Sequence, residues 1–423
     1  MDRVPPIPSD PGLPGARGLL TGEGREAISA FLGERGWSVE DARPAQALYR
    51  PGRSAAVRYR VLAHRGGGQR TFVLCAETRA RARTPGPLPE DAEDRTGLAE
   101  PVGRSGQHLV WAFPFDPSLP DLADVAWGPE VARRLGAAAV SVQLLRYRPR
   151  RRAVFRYRVL RRGRGGRRWE TAFGKVLPRS KAERARLAAG SVLEGSEALR
   201  LSMPAGSLGE DAFVFEPARG RSLRDLLVAG GPLPSPERVA LLPEKVAEQV
   251  GPRLPEVARP SPTEAAGSAA AVLGRLVPSW AAEVDRVVEA VAAGESRAAR
   301  AAPAVHGDLY EAQVFVDEDF SLGLIDLDDL GPGDPATDAA NFCAHLLVLA
   351  LSVPAAADRL AAYRGLVREA FLRRLGIPSA DLAWREALAA LLLASGPFRV
   401  LDPRWPAEVG RRVQLAVRLL EQA

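Results

Sequence analysis

At 423 residues, with 46% hydrophobic and 26% charged positions, the chain is long enough for two or three domains with sizeable cores and too apolar to be disordered throughout. Its two cysteines, Cys75 and Cys343, exclude a disulfide framework. The net charge of +7 invites a nucleic-acid reading, but residues 1–217 carry 36 basic and 24 acidic side chains whereas 218–423 carry 22 and 27. With no zinc-ligand spacing, aromatic RNA-binding pattern or long basic helix, nucleic acid is not an expected partner. The N-terminus lacks the apolar core of a signal peptide. The longest apolar run, Cys343 to Ala357, contains His345 and Pro354 and is too short to span a bilayer. A cytoplasmic protein without membrane contact is expected.

Residues 1–22, rich in Pro and Gly, read as an irregular arm. Residues 23–35 place Ala27, Ile28, Phe31 and Leu32 at helical spacing. An internal repeat follows. Residues 49–62, YRPGRSAAVRYRVL, and 147–160, YRPRRRAVFRYRVL, are identical at ten of fourteen positions with a constant offset of 98. Each copy reads as a strand, an Arg-Pro turn and an alternating strand, then a Gly/Arg-rich turn and a third strand. Two copies are too few for a solenoid, and a duplicated three-stranded sheet fits. Continuing the alignment without a gap sets Glu77 opposite Lys175. Of 58 basic residues only Lys175, Lys181 and Lys245 are lysines. A lysine kept at a strand position in such a chain points to a role arginine cannot fill, and a compact ammonium on a flexible stem suits phosphates. Residues 180–196 read as a helix. Residues 107–113 and 213–216 read as strands, and 222–250, 263–294 and 339–421 as mostly helical.

The richest stretch runs from Ala304 to Leu346. Val314–Val316 and Leu322–Ile325 are apolar runs of strand length around the polar Asp317–Ser321, hence an antiparallel hairpin. With the turn centred near Asp319 and Phe320, Gln313 lies opposite Asp326, with Cβ atoms roughly 5 Å apart. Both side chains then reach one cation. Mg²⁺ takes oxygen ligands, usually one or two carboxylates with substrate phosphates. Asp326 and the Gln313 amide oxygen supply the protein share. Asp308, in His306-Gly307-Asp308, stays outside the coordination sphere, free to orient a hydroxyl and accept its proton. Asp334, Thr337 and Asp338 read chiefly as caps of the helix that follows. His306 reads as a packed loop histidine. Asp328 and Asp329 read as solvated, with Asp328 an alternative helper at the metal.

The series H-G-D-x-x-x-x-Q, hairpin, Ile325-Asp326 and G-D-P-x-x-D resembles the aminoglycoside phosphotransferase family, the small-molecule branch of the protein-kinase-like fold. The resemblance implies a bilobal α+β fold with a β-rich N-lobe and a helical C-lobe. Here residues 131–217 and 218–423 would be those lobes, and 1–130 an additional N-terminal β-rich module, a degenerate repeat of the N-lobe sheet. It implies ATP-dependent transfer of a phosphoryl group, with Mg²⁺, to a hydroxyl of a small molecule of the aminoglycoside, sugar or amino-alcohol class. Asp308 would match the catalytic base, Asp326 the Mg²⁺ ligand and Lys175 the strand-three lysine. Gln313 departs from the usual Asn, as in maltokinase-like members. Glu183 is the first candidate to pair with Lys175 and Glu194 the second, either being alternatively a solvated helix charge. Arg148 to Arg152, including Arg151, form the turn over the phosphates or else a solvated hairpin tip. Glu216 marks the hinge beside the adenine. Glu77 argues against ATP binding by the first copy. The rival readings are a catalytically silent kinase-like scaffold and an arginine-rich nucleic-acid binder. Joint retention of Lys175, Asp308, Gln313 and Asp326 argues against the scaffold. The acidic excess of 218–423, including Glu283, Asp285, Glu289, Asp328 and Asp329, points to a neutral or cationic acceptor if those acids line the cleft.

Overall fold

The duplication in the sequence becomes two five-stranded antiparallel sheets of the same topology. The structure is a computed structural model that describes residues 5–80, 91–163, 166–192, 199–250, 254, 259–296 and 301–421. After the N-terminal arm comes α1 (Gly22–Gly33), whose Ala27, Ile28, Phe31 and Leu32 are buried as their spacing requires. The first sheet is a meander of β1 (Ser38–Arg50), β2 (Ser54–Arg65) and β3 (Gly68–Arg79). It is extended, beyond the short α2 (Ala92–Thr96), by β4 (Val102–Ser105) and β5 (His108–Ala112). The short helices α3 (Leu122–Val125) and α4 (Gly128–Leu135) lead into the second meander, β6 (Ala139–Arg148), β7 (Arg152–Gly163) and β8 (Gly166–Val176). Then follow α5 (Arg179–Ala189), β9 (Arg200–Leu201), β10 (Gly206–Ser207) and β11 (Ala212–Phe215). The strand orders are β1-β2-β3-β5-β4 and β6-β7-β8-β11-β10. The repeated unit is therefore larger than the three strands expected, because β4, β5, β10 and β11 keep topology without keeping sequence. Registers agree across the copies: Glu77 stands opposite Ala56, and Lys175 opposite Val154, both pairs separated by the repeat offset. Helix α5 stops at Ala189, short of the expected end, and Glu194 lies outside the described residues.

Each copy also has a latch upstream of its sheet. Asp10 accepts hydrogen bonds from the Tyr49 hydroxyl (2.7 Å) and the Gly52 N–H (2.8 Å). Asp116 accepts from the Tyr147 hydroxyl (2.8 Å) and the Arg150 N–H (2.6 Å). Tyr49 and Gly52 are the repeat equivalents of Tyr147 and Arg150. In both copies one carboxylate pins the hairpin tip to a preceding Asp-Pro-x-Leu-Pro segment, residues 10–14 and 116–120. The second unit thus starts near Asp116, inside the stretch assigned by sequence to the N-terminal module.

The helical part begins after β12 (Arg221–Ser222) with α6 (Leu223–Ala229), whose N-cap Ser222 accepts from the Asp225 N–H at 3.1 Å. Next come α7 (Pro236–Ala240), α8 (Leu242–Gln249), α9 (Pro262–Leu276) and α10 (Ala281–Glu295). Strand β13 (Ala302–Val305), the hairpin β14 (Val314–Val316) and β15 (Leu322–Leu324), and β16 (Gly331–Gly333) interrupt the helices. The chain closes with α11 (Pro335–Ser352), α12 (Ala357–Leu375), α13 (Ser379–Ala394), α14 (Gly396–Arg399) and α15 (Trp405–Glu421). The bilobal kinase-like α+β architecture implied by the sequence is present, β-rich first and helical afterwards. No helix among the described residues is long and apolar enough to cross a membrane.

Three large cores, among the described residues, hold these parts. One is shared by the first sheet, α1, α9, α10, α13 and α15, so the N-terminal module rests on the C-terminal helices. Tyr49 meets Phe398 there with ring centroids 6.4 Å apart. A second fills the helical part around the β14–β15 hairpin and α11. The third joins the two sheets through Cys75, Leu109 and Trp111 of one and Tyr147, Phe155 and Tyr157 of the other. At that junction Glu77, 2% exposed, lies 2.5 Å from the Arg150 guanidinium. Burial pushes the Glu77 carboxyl up in spite of Arg150. Glu77→Met strips Arg150 of its buried counter-charge and is expected to cost about 3 kcal/mol. A clear fall in the thermal unfolding midpoint would show it; an unchanged midpoint would remove Glu77 from the sheet–sheet junction.

Candidate active site

The β14–β15 hairpin forms where the two apolar runs predict it, with a register one residue from the expected one. Val314 pairs with Leu324, so Gln313 stands opposite Ile325, whose N–H donates to the Gln313 carbonyl at 3.1 Å. Asp326 has left the strand: its φ of 64° and ψ of 50° put it in the left-handed region, which Asp tolerates better than bulkier residues. That turn brings its carboxylate back across the hairpin end, and Gln313 Nε2 donates to Asp326 Oδ2 at 2.9 Å. The expected Gln313–Asp326 contact is thus made by a backbone turn rather than by cross-strand pairing.

The loop after β13 carries Asp308. His306 is fully buried; its Nδ1 accepts from the Asp308 N–H (3.3 Å), which leaves Nε2 to donate to the Ile325 carbonyl (3.0 Å). The histidine ties the loop to the hairpin end, consistent with a packed role. Asp338 accepts the His306 and Gly307 N–H groups at 2.7 and 2.9 Å. Capping of α11 belongs instead to Asp334, whose Oδ1 accepts from the Ala336 N–H at 2.9 Å while Oδ2 meets Arg385 at 2.6 Å. Asp338 sits one turn inside the helix, so its carboxylate reaches out to the loop. Gly307 has φ +83°, and a Cβ there would meet the Asp329 carbonyl oxygen at 2.5 Å, so this position requires glycine.

Lys175 finds its partners across the cleft. Its ammonium pairs with Asp326 and lies 2.6 Å from Asp328. Arg152 reaches Asp326 at 2.9 Å. Glu183 does not take part: it faces solvent and lies 3.6 Å from Arg179, one turn earlier on α5. The acids expected to be solvated are engaged, Asp328 by Lys175 and Asp329 by Lys181 at 2.9 Å. Glu283, Asp285 and Glu289 lie on α10, which packs against α9, α13 and α15, so they do not line the cleft. The charge argument for a neutral or cationic acceptor loses its footing with them.

A cavity of about 500 Å³ opens between the lobes. Its lining includes Phe173 and Phe215, paired across β8 and β11, with Glu216, Pro217 and Ala218, and also Arg146, Tyr310 and the mutually contacting Arg152, Lys175, Gln313 and Asp326. Arg148 pairs with Arg152 at the base of the β6–β7 turn, with Arg151 exposed at its tip. Neither makes an ion pair among the described residues.

Burial raises the Asp326 carboxyl, but Lys175 and Arg152 outweigh it and hold the group far below the usual carboxylate range. Burial likewise works against the Lys175 ammonium, which Asp328 and Asp326 nevertheless pull above its ordinary value. Asp308, without a cation in contact, is pushed up to about 6 by burial and then by the charge of Asp326. Two carboxylates in one cleft are thereby set apart, one permanently ionised and one poised near neutrality.

Sequence reasoning placed Arg152 in the turn over the phosphates without its Asp326 partner, and missed Asn341. Asn341 Nδ2 donates to the Leu309 carbonyl at 3.0 Å and lies 3.5 Å from Asp308 Oδ1. Its position seven residues after Asp334, within an apolar helix, was the available signal: a buried-face amide calls for a partner. Comparison with known proteins completes the description. The sequence model of the phosphotransferase enzyme family matches residues 156–376. No curated protein matches the chain. Among solved structures, aminoglycoside phosphotransferase APH(4)-Ia is 14% identical, covering 69% of this chain and 99% of that one with a TM-score of 0.46. APH(3'')-Id from Streptomyces rimosus ATCC10970 is 18% identical, covering 65% and 96% with a TM-score of 0.41. Choline kinase from Cryptosporidium parvum Iowa II is 9% identical, covering 67% and 89% with a TM-score of 0.42.

Proposed function

The chain belongs to the phosphotransferase enzyme family, kinase-type enzymes acting on hydroxyl groups, and we propose that it transfers the γ-phosphoryl group of ATP to a hydroxyl of a small molecule. One observation carries this reading. Lys175, Arg152 and the ionised Asp326 converge at the lining of an interlobe cavity, and the half-buried carboxyl of Asp308, raised to about 6 in part by the charge of Asp326, lies on the loop beside them. The acceptor oxygen bonds to the γ-phosphorus as the bond to the β–γ bridging oxygen breaks; the hydroxyl proton passes to Asp308 and ADP leaves. Lys175 and Arg152 neutralise phosphate charge, with Arg148 and Arg151 above them on the hairpin turn. The apolar lining, with Phe173, Phe215 and the backbone at Glu216, takes the adenine. The unit that starts near Asp116 and ends at residue 217 and the part from 218 to 423 thus act as nucleotide and acceptor lobes, with the first sheet unit as a brace.

Asp326 and Gln313 are the residues that would hold Mg²⁺. The fit rests on the carboxylates of Asp326 and Asp328 already converging on one cation, the Lys175 ammonium, with the Gln313 amide against the first of them. Bound there with ATP, Mg²⁺ would screen the phosphate charges.

The test is ADP release measured against a panel of hydroxyl compounds, with the phosphorylated product identified by phosphorus NMR. ATP binding without turnover of any acceptor would favour a silent scaffold; no ATP binding would end the proposal. A pH dependence is also expected. Asp308 accepts a proton only when ionised, and its carboxyl is pushed up to about 6. So kcat/KM should rise with pH through about 6 and then level off. A profile flat from pH 5 to 8 would remove Asp308 from the rate equation.

A further inference from the structure

One helix holds the loop that carries Asp308. Residues 339–351 of α11 are apolar except for Asn341 and His345. Asn is a poor helix former, and a half-buried amide calls for partners, so its place in such a run needs a contact to account for it. Asp338, Asn341 and His345 are spaced i, i+3 and i+7, which sets them along one face of the helix. Each meets the loop, and in order. The Asp338 carboxylate accepts the N–H groups of His306 (2.7 Å) and Gly307 (2.9 Å). Asn341 Nδ2 donates to the Leu309 carbonyl (3.0 Å) and reaches Asp308 Oδ1 at 3.5 Å. His345 stacks on Tyr310, with ring centroids 4.2 Å apart. Residues 306 to 310 are thus registered against two turns of one helix. The start of that helix is itself fixed, since its cap Asp334 also holds Arg385 at 2.6 Å.

The three contacts differ in kind. Asp338 holds backbone N–H groups and His345 holds a ring. Among the described residues, Asn341 is the side chain that donates to the Asp308 carboxylate itself. An amide NH₂ group carries two hydrogens. The shorter bond to Leu309 fixes the orientation of the group, and the second hydrogen is then presented to Oδ1. A donor on Oδ1 favours the ionised carboxylate and occupies that oxygen. Oδ2, which accepts no hydrogen bond among the described residues, is left for the acceptor.

We propose that Asn341 is a positioning residue for phosphoryl transfer: it holds Asp308 by Oδ1 and so turns Oδ2 toward the acceptor hydroxyl. This rests on the phosphotransferase reading above and adds a residue to that same site. As the acceptor oxygen bonds to the γ-phosphorus, its proton passes to Oδ2, and the β–γ bridging oxygen leaves with ADP. Asn341 neither gives nor takes a proton; it decides which oxygen of the base is free.

The test uses the full chain carrying ¹³C at the aspartate carboxyl carbons, titrated by NMR, the Asp308 signal being the one lost in Asp308→Asn. Rates are followed as ADP release with Mg²⁺ and with water as the acceptor. Asn341→Leu should raise the midpoint of the Asp308 titration by about half a pH unit, because a donor to the charged form is gone. The same variant should lower kcat about tenfold while the KM of ATP stays within about twofold. Asn341→Asp keeps the shape and puts a second carboxylate where the donor was, so the midpoint should rise by about one unit or more. Besides burial, the titratable groups that act on Asp308 are Asp326 and Asp329, which raise it, and His306 and Arg152, which lower it; both variants keep all four. A midpoint unmoved in both variants overturns the proposal. So does a loss of rate in Asn341→Leu with an unmoved midpoint, which would make Asn341 a packing residue alone. Should Asn341→Leu fail to fold, the isosteric Asn341→Asp decides. The titration needs no nucleotide. Absence of ATP binding in the unaltered chain would therefore refute the phosphotransferase reading while the midpoint shifts stand, and the two failures are distinguishable.

Discussion

Asp308→Asn is expected to lower kcat by about 10³-fold while ATP affinity stays within about twofold of the unaltered enzyme. The substitution keeps shape and removes one thing, the capacity to take a proton. The loop should survive it, because the bonds that hold Asp308 in place are made by its backbone N–H to His306 and by the Asp338 carboxylate to the two preceding N–H groups. The nucleotide groups are untouched, since Lys175, Arg152 and Asp326 contact one another and not Asp308. Asn at 308 also cannot carry charge, so the rise in rate through pH 6 should vanish in whatever activity remains. Turnover within a few fold of normal would show that the acceptor proton goes elsewhere.

Asp326→Ala should fail in the opposite way. Mg²⁺-dependent ATP binding, measured by calorimetry with and without Mg²⁺, should fall by at least about 100-fold, because the best carboxylate for the ion is gone. A second effect follows from the contacts. Asp326 is the shared counter-charge of Lys175 and Arg152. Its loss leaves those two cations close together with Asp328 alone between them, at an expected cost of about 3 kcal/mol in stability. The pair of variants therefore separates the roles: one binds ATP and does not transfer, the other folds less stably and does not bind ATP with Mg²⁺. Full Mg²⁺-dependent binding in Asp326→Ala would place the ion elsewhere.

What was legible in the sequence was local or periodic. The hairpin, Asp308 and Gln313 lie within a span short enough for spacing to place them. The repeat supplied the equivalence of Glu77 and Lys175, because a gapless offset needs no knowledge of the fold. What was illegible depended on distance along the chain. Lys175 and Asp326 are 151 residues apart, and the assignment of Glu183 as partner failed because a helix that follows a strand is the nearest acid in sequence rather than in space. Asp328, read as solvated or as a helper at the metal, is buried against Lys175, while Asp329 stays partly solvated and meets Lys181; both lysines come from the other lobe. The hairpin register was missed by one residue, yet the contact survived, because a left-handed turn at Asp326 compensates for it in a way no alternation pattern records. The Asp10 and Asp116 latches could have been found: the Asp-Pro-x-Leu-Pro segments repeat, but at an offset of 106 rather than 98.

The two latched sheets bury a common face through Trp111, Tyr147 and Phe155. Such a face is in effect a subunit interface whose partners are joined end to end. Tethering makes their association intramolecular, so a contact too weak to hold two free molecules together at cellular dilution suffices here. The copies have also diverged reciprocally: where the second has Arg150 and Lys175, the first has Gly52 and Glu77, and Glu77 now receives Arg150. Where the second unit carries the ammonium of Lys175, the first carries a carboxylate that grips its twin. It is a permanently docked partner for the β6–β7 turn, one that never has to be found by diffusion.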